Sequence, residues 1–137
     1  MAKQIKTNVK TAEYEFLDTD GNILFTLRFN PDLDIARRYD KTVDFVNKMF
    51  ADQDKSNGSN LFFEKCDELK EQLNEMFGSD ISTPIFSVMN PFTPLENGSF
   101  YIEEILEKLG TVVETELNTR VKKVQSRQSK YTAKYHK

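Results

Sequence analysis

Carboxylates are the side chains of this sequence most able to do acid–base chemistry, because they occur in close groups. Those groups are Asp32/Asp34, Glu64/Asp67/Glu68/Glu71 and Glu103/Glu104/Glu107. Hydrolysis by such residues needs two carboxyl groups that converge in a cleft and have well-separated pKa values. The groups belong to segments whose apolar residues recur at helical spacing, so we interpret them as the solvated faces of helices.

A calcium loop is the second candidate, because residues 18–22 (DTDGN) begin like an EF-hand loop. That loop needs glycine at its sixth position and a bidentate glutamate at its twelfth. Ile23 and Phe29 stand at those positions here. The residues on both sides are typical of strands, so a hairpin turn accounts for the segment better than a metal site.

Few residues of this sequence could support nucleophilic catalysis, zinc binding or phosphate binding. The chain has one cysteine, Cys66, and one histidine, His136, which excludes an internal disulfide, a Cys/His zinc site and a Cys–His pair in the body. Cys66 lies within an apolar helical stripe, where an inert buried thiol is expected. The five glycines are scattered singly, so no phosphate-binding loop is formed. We therefore expect no enzyme, no metal and no cofactor.

Charge is divided unevenly along the chain. All 22 acidic residues and nine basic ones lie within 11–119, a net charge of −13. The C-terminal end carries seven basic residues and no acidic one: Arg120, Lys122, Lys123, Arg127, Lys130, Lys134 and Lys137. Interleaved with Tyr131 and Tyr135, these bases could bind nucleic acid or an acidic protein surface, or simply form a solvated end. Because the acidic body opposes a polyanion, we expect no nucleic-acid partner.

The elements that position these residues begin with a β-hairpin, predicted from residues 12–18 and 22–29 around an Asp-Gly turn. Tyr14 and Phe16 share one face of the first strand. In the second strand four apolar residues alternate with others: Ile23, Phe25, Leu27 and Phe29. One face of the hairpin is therefore apolar and needs a cover.

Three main helices follow. The first is predicted to start at Asn30-Pro31-Asp32, with asparagine as N-cap, and to fade by Asp52; its stripe is Ala36, Tyr39, Val43, Val46 and Phe50. A polar loop over 51–60 comes next. The second helix follows it, runs from about residue 60 to 77 and ends at Gly78.

A proline-rich segment, 79–99, holds a short helical turn after Thr83-Pro84 and a second turn at 93–96, which has capping-box spacing. The third helix begins near Ser99 and runs at least to Leu117. Its apolar spacing continues more sparsely at Val121 and Val124.

The fold class is therefore α+β and mainly helical: an N-terminal β-hairpin, then three main α-helices, with the proline-rich segment before the last. We expect a flexible N-terminus over 1–10, a single globular domain over 11–119 and a basic helical extension or tail over 120–137. Apolar runs reach only three residues and the N-terminus lacks an apolar signal region. No membrane span and a cytoplasmic location are the corresponding expectations.

Aromatic residues are abundant, with eleven Phe and five Tyr, and several lie beside the main stripes. Phe45 with Met49, and Phe63 with Phe77, are such flanking residues. They either complete the core or form a surface for apolar helices or a sister subunit, since interfaces favour aromatic residues and methionine. We take contact with a partner as the hypothesis for these four residues.

Five segments of the chain carry a resemblance to a known family: residues 13–16 (EYEF), 22–29 (NILFTLRF), 34–50, 89–92 (MNPF) and 100–106 (FYIEEIL). In these segments and in its layout the chain resembles tail assembly chaperones of long-tailed phages and prophages of Gram-positive bacteria. It implies a small, acidic, helix-rich and commonly oligomeric protein that coats the tape-measure protein, whose long apolar helices would otherwise aggregate before the tail tube assembles. The family pattern does not account for the basic C-terminal end. The alternatives are a structural tail component and a small nucleic-acid-binding accessory protein acting through that end.

Overall fold

The computed structural model describes the backbone of residues 2–55 and 64–135 and the side chains of 2–52 and 64–125. Within these ranges the chain forms two strands and then four helices. They are β1 (Ala12–Leu17), β2 (Ile23–Phe29), α1 (Ile35–Lys55), α2 (Cys66–Phe77), α3 (Ser82–Val88) and α4 (Tyr101–Tyr135). The predicted fold class, α+β and mainly helical with an N-terminal hairpin, is confirmed.

The hairpin forms around the predicted turn. Strands β1 and β2 are antiparallel, and the Asp18 carboxylate accepts the backbone N–H groups of Asp20 and Asn22, each at 2.9 Å. Gly21 has a φ of 87°, which L side chains rarely adopt. Among the described residues no group of three or more Asp, Glu, His or Cys side chains could hold a metal ion. The segment is a turn built by its own carboxylate.

One residue of the predicted apolar face lies outside the core. Phe25, Leu27 and Phe29 are buried as expected, but Ile23 is 59% exposed. The strand register shifts between Phe16 and Leu17, so that Leu17 rather than Asp18 faces Ile23. This irregularity turns the tip of the hairpin away from the helices.

Helix α1 starts later than predicted and buries a different face. Residues 33 and 34 form a turn, and the Asp34 carbonyl accepts the N–H of Arg38, so the predicted N-cap at Asn30 is wrong. The buried residues are Ile35, Thr42, Val46 and Met49. Of the predicted stripe only Val46 is fully buried, because the core-facing side is rotated by about one residue.

The link from α2 to α3 is closed by side-chain and backbone hydrogen bonds. Gly78 ends α2 with a φ of 67° and donates its N–H to the Asn74 carbonyl, which confirms the predicted left-handed cap. The Asn74 side-chain oxygen accepts the N–H groups of Ile81 and Ser82, each at 2.9 Å. The short helix after Thr83 is also confirmed. The predicted start of the second helix near residue 60 lies outside the described residues.

The second predicted turn of the proline-rich segment is not helical. Leu95 donates its N–H to the Ser99 carbonyl at 2.8 Å, and Pro94 and Phe100 form a single antiparallel bridge. The capping interaction stands instead at the start of α4, where the Glu103 carboxylate accepts the Phe100 N–H at 2.9 Å. The proline-rich segment therefore ends in a tight loop that leads directly into α4.

Helix α4 is the longest element of the described chain. Its first half enters the hydrophobic core, which also includes residues of the hairpin, α1, α2 and α3. The most deeply buried side chains include Leu27, Ile35, Leu69, Leu73, Met76, Ile85, Ile102 and Leu109. The helix has 35 residues and continues to Tyr135, about 50 Å in all. The predicted helical extension beyond Leu117 is therefore present. No helix in the described part of the chain combines the length and apolarity needed to cross a membrane.

Candidate functional site

Two of the four residues predicted to contact a partner, Met49 and Phe77, are buried in the core. Met49 is 3% exposed and Phe77 is 6% exposed, and the Phe77 ring packs edge-on against Phe29 with centroids 4.7 Å apart. Because the buried face of α1 is rotated, Met49 points into the core. These two residues act as core in this conformation, which corrects the hypothesis that they are exposed to a partner.

Phe45 is half-buried and lines a cleft of about 210 Å³ between α1 and α2, together with Lys48 and Lys65. Phe63 lies outside the described residues. A surface for a partner must therefore be sought elsewhere on the molecule.

Two groups with possible chemistry have structural roles. Asp80 caps the start of α3: hydrogen bonds from the side chain and backbone of Thr83 lower the pKa of its carboxyl group. It lies beside a cleft of about 290 Å³ between β2 and α3. Burial raises the pKa of the Cys66 thiol, which disfavours the reactive thiolate.

Helices α1 and α4 approach closely and run antiparallel. The Tyr39 hydroxyl donates to the Leu106 carbonyl at 2.8 Å, and a Cβ atom on Gly110 would lie 2.5 Å from that hydroxyl oxygen. Farther along α1, the Phe50 ring stacks on Phe100 with centroids 5.5 Å apart. The pKa of Tyr39 is raised by burial and then by the carboxylates of Asp40 and Glu107.

The face of α4 that packs against α1 continues beyond the end of α1. Ile35, the first residue of α1, lies about 6 Å past Tyr39, so α1 covers α4 only to about residue 114. The next residues on that face form what we call the apolar stripe: Leu117, Val121 and Val124. Leu117 is half-buried, whereas Val121 is 43% and Val124 is 54% exposed. The apolar stripe is thus a helix-packing surface that no helix of the described chain covers.

The sequence extends the spacing of the apolar stripe. Gln128, Tyr131 and Tyr135 follow Val124 at steps of four, three and four residues, on a helical backbone. Alternating steps of three and four are typical of the seam of a coiled coil. Sequence reasoning had found Val121 and Val124 but not that their face is the one that packs against α1.

A polar cluster holds α4 where it leaves the body. The Tyr14 hydroxyl of β1 donates to the Glu116 carboxylate, and the Arg120 Nε lies 3.6 Å from the other Glu116 oxygen. Arg120 also donates to the Lys10 carbonyl at 3.4 Å. Burial and the hydrogen bond to Glu116 raise the pKa of Tyr14 to about 12. Residues 121–125 are exposed, so α4 projects from this cluster.

The basic residues of the projecting segment fall mostly on one face. We call this face the basic stripe: Arg120, Lys123, Arg127, Lys130 and Lys134. Steps of three and four place the basic stripe about 100° around the helix axis from the apolar stripe. Lys122 lies off this face; it and Lys123 are exposed. Arg127 and Lys130 stand on the helical backbone, and their side chains lie outside the described ones.

The basic N-terminal arm leaves the body from the same end. Residues 2–11 form neither helix nor strand and are exposed, and Lys10 contacts Arg120. This convergence of two basic segments that are distant in sequence was not predicted. The prediction that residues 1–10 are flexible stays a prediction.

Comparison of this chain with family models, with curated proteins and with solved structures finds no match. The surfaces of α4 are therefore interpreted from their own geometry and charge.

Proposed function

We propose that this protein is a non-enzymatic chaperone that holds an apolar helix of a partner on the apolar stripe of α4. On the resemblance of its layout to phage tail assembly chaperones, the partner is the tape-measure protein, bound in the bacterial cytoplasm while the tail assembles.

The observation that carries this proposal is the continuity of one packing face. Helix α1 packs against α4 at Leu106 and Gly110. The same face of α4 continues as Leu117, Val121 and Val124, which no helix in the described chain covers. A second apolar helix can pack there by the same side-chain interdigitation that seats α1. The apolar stripe lies on a helix that is already formed, so that binding requires little ordering of the chaperone.

The charge of the molecule supports the same role. A complex with an apolar client stays dispersed only if its remaining surface is strongly charged. Residues 11–119 carry a net charge of −13, and the projecting segment carries basic residues beside the apolar stripe. The apolar stripe is thus accompanied by an acidic body and by basic residues on the projecting segment.

Co-expression with a tape-measure protein tests the proposal. The double variant Val121→Ser, Val124→Ser removes most of the exposed apolar stripe, and we expect at least a tenfold loss of soluble, co-purifying tape-measure protein. The matched control is Asn118→Ser, Gln125→Ser on another face of the same helix. Circular dichroism establishes that both variants keep the fold. Equal amounts of client with both variants would contradict the proposal.

The alternative of a structural tail component has its own test. A chaperone is released before the tail is complete and is therefore absent from purified virions. Mass spectrometry of virions that finds this chain in stoichiometric amount would replace the chaperone proposal with a structural role.

A further inference from the structure

Strand β2 has a free edge, at a place in the fold that the apolar stripe of α4 does not involve. The sheet has two strands, so β2 pairs with β1 on one side only. On its other side the described chain provides a helix, α3, and no strand. Free edges of this kind can accept a strand from another chain.

The register of the hairpin shows which residues of β2 bond to β1. The final pair at the open end of the hairpin is Ala12 with Phe29. No backbone hydrogen bond joins the next two residues, Thr11 and Asn30, so the pair of Ala12 and Phe29 must itself be hydrogen-bonded. Counted back from Phe29, every second residue of β2 bonds to β1, and the residues between them point their backbone groups outward.

Thr26 and Arg28 are the outward-pointing residues. Both are exposed, and among the described residues their backbone N–H and C=O groups have no hydrogen-bond partner. The Arg28 side chain reaches across the sheet to Glu13 on β1, at 3.1 Å, and so leaves the edge clear. Two donors and two acceptors are therefore accessible to a neighbouring chain.

A cleft of about 290 Å³ runs along the same edge. Its wall opposite β2 is formed by the link into α3 and includes Ser79, Asp80, Ile81 and Pro84. Sites for small molecules usually have about 300–1,000 Å³ and enclose most of the ligand. This cleft is at the lower limit of that range and is bordered by backbone hydrogen-bonding groups, so it fits a slim, extended chain better.

Charge selects the kind of chain. The Asp80 carboxylate accepts hydrogen bonds from uncharged groups of Ser82 and Thr83, and no described Lys or Arg lies within ion-pair distance of it. Arg28 is the basic residue that lines the cleft, and Glu13 neutralises it. The cleft is therefore negative, and the net charge of −13 over residues 11–119 adds to its attraction for a cation.

We propose that β2 accepts an extended basic segment of a partner protein as an added strand along this cleft. The backbone of the segment bonds to the outward groups of Thr26 and Arg28. Because successive side chains of a strand point to opposite faces, apolar side chains at alternate positions contact Ile81 and Pro84, and Asp80 favours lysine or arginine among the others. This occupant is extended, whereas the client of the apolar stripe is a helix, so the two proposals stand independently.

Hydrogen exchange measured by NMR on the full-length chain tests the proposal. The probe is a synthetic peptide of alternating lysine and valine with the seven residues of β2. Without peptide, the amide protons of Thr26 and Arg28 should exchange at least tenfold faster than that of Leu27, which bonds to β1. Saturating peptide should slow both at least tenfold, and no slowing would overturn the proposal. Protection without peptide that rises with protein concentration would also overturn it, because a second copy would then occupy the edge.

Two control peptides separate backbone bonding from charge. Methylation of the backbone nitrogens of the lysine–valine peptide keeps its side chains and charge but removes its hydrogen-bond donors. A glutamate–valine peptide keeps the donors but reverses the charge. Each should bind at least tenfold more weakly by fluorescence anisotropy at about 50 mM salt. Equal affinity of the methylated peptide would show charge attraction alone and would contradict strand addition.

Substitutions in the two strands locate the contact. Thr26→Pro removes an outward N–H without breaking a bond to β1, and it should raise the Kd of the lysine–valine peptide at least tenfold. The matched control is Glu15→Pro, because Glu15 faces Thr26 across the sheet and lies on the opposite outer edge; the Kd should stay within about threefold. An unchanged Kd in Thr26→Pro, when circular dichroism shows a folded chain, would contradict the proposal.

Asp80→Asn tests the choice of a basic segment. Asparagine keeps an oxygen that can accept the Thr83 N–H at the start of α3, but the charge is lost. The Kd of the lysine–valine peptide should rise at least fivefold at low salt, and the glutamate–valine peptide should gain affinity. Unchanged affinities for both peptides would overturn the assignment of a basic partner.

Discussion

At the scale of single residues, the contact between Tyr39 and Gly110 decides how closely α1 approaches α4. The absence of a side chain at Gly110 leaves room for the Tyr39 ring, whose hydroxyl then reaches the Leu106 carbonyl. This contact lies on the face of α4 that continues beyond α1 as the apolar stripe. A glycine that would weaken an isolated helix here permits a tertiary contact.

Gly110→Ala should therefore destabilise the protein even though alanine favours helix by about 1 kcal/mol. The new Cβ would lie 2.5 Å from the Tyr39 hydroxyl oxygen and 2.9 Å from its Cζ. Overpacking of this kind costs about 1–3 kcal/mol, so a net loss in the free energy of unfolding is expected by urea denaturation. In a Tyr39→Leu background the ring atoms are gone, and the same substitution should stabilise. The same sign in both backgrounds would contradict this account.

At the scale of elements, the hydrogen bond from Tyr101 joins α4 to α3, the short helix within the proline-rich segment. Tyr101 is 4% exposed and donates its hydroxyl to the Ile85 carbonyl at 2.8 Å. Burial raises the pKa of Tyr101 to about 12. The first turn of α4 is thus tied to α3 by a group that must stay protonated.

Stability should fall as the pH rises from about 10 to about 12. In that window the unfolded chain releases the Tyr101 proton at its ordinary pKa, near 10, whereas the folded chain retains it, so deprotonation favours unfolding. Urea denaturation followed by circular dichroism at several alkaline pH values measures the slope. Tyr101→Phe should reduce it, and part should remain because the pKa of Tyr14 is also raised to about 12. An unchanged slope in Tyr101→Phe would refute the assignment to this residue.

At the scale of the whole molecule, α4 extends beyond the core as one continuous helix with different faces. The apolar stripe continues the α1-packing face, and the basic stripe lies about 100° away. The polar cluster of Tyr14, Glu116 and Arg120 holds the base of this projecting segment against the hairpin. The apolar stripe and the basic stripe thus lie on separate faces of the same helix.

Local signals in the sequence predicted several elements correctly. The Asp-Gly turn of the hairpin, the cap at Gly78 and the long last helix depend on backbone preferences and on contacts within a few residues. Such preferences act before any tertiary contact forms, which is why they can be read directly from neighbouring residues.

Errors arose where a contact between elements decides the outcome. Helix α1 has two apolar flanks, and periodicity alone could not say that the side with Met49 faces the core. Its start moved from Asn30 to Ile35 because residues 33 and 34 form a turn, next to which Asp32 pairs with Arg38 at 2.9 Å. The sequence pattern contains no information on which of two apolar flanks meets a neighbour.

The amino-acid sequence by itself determined the elements and the separation of an acidic body from basic ends, because propensity, capping and charge belong to residues and their near neighbours. Tertiary structure decided that Met49 and Phe77 are core, that the face of α4 against which α1 packs continues past the end of α1, and that the basic arm meets the basic helix at Arg120. These outcomes depend on how helices are rotated against one another, and that rotation is set by packing between segments far apart in the chain.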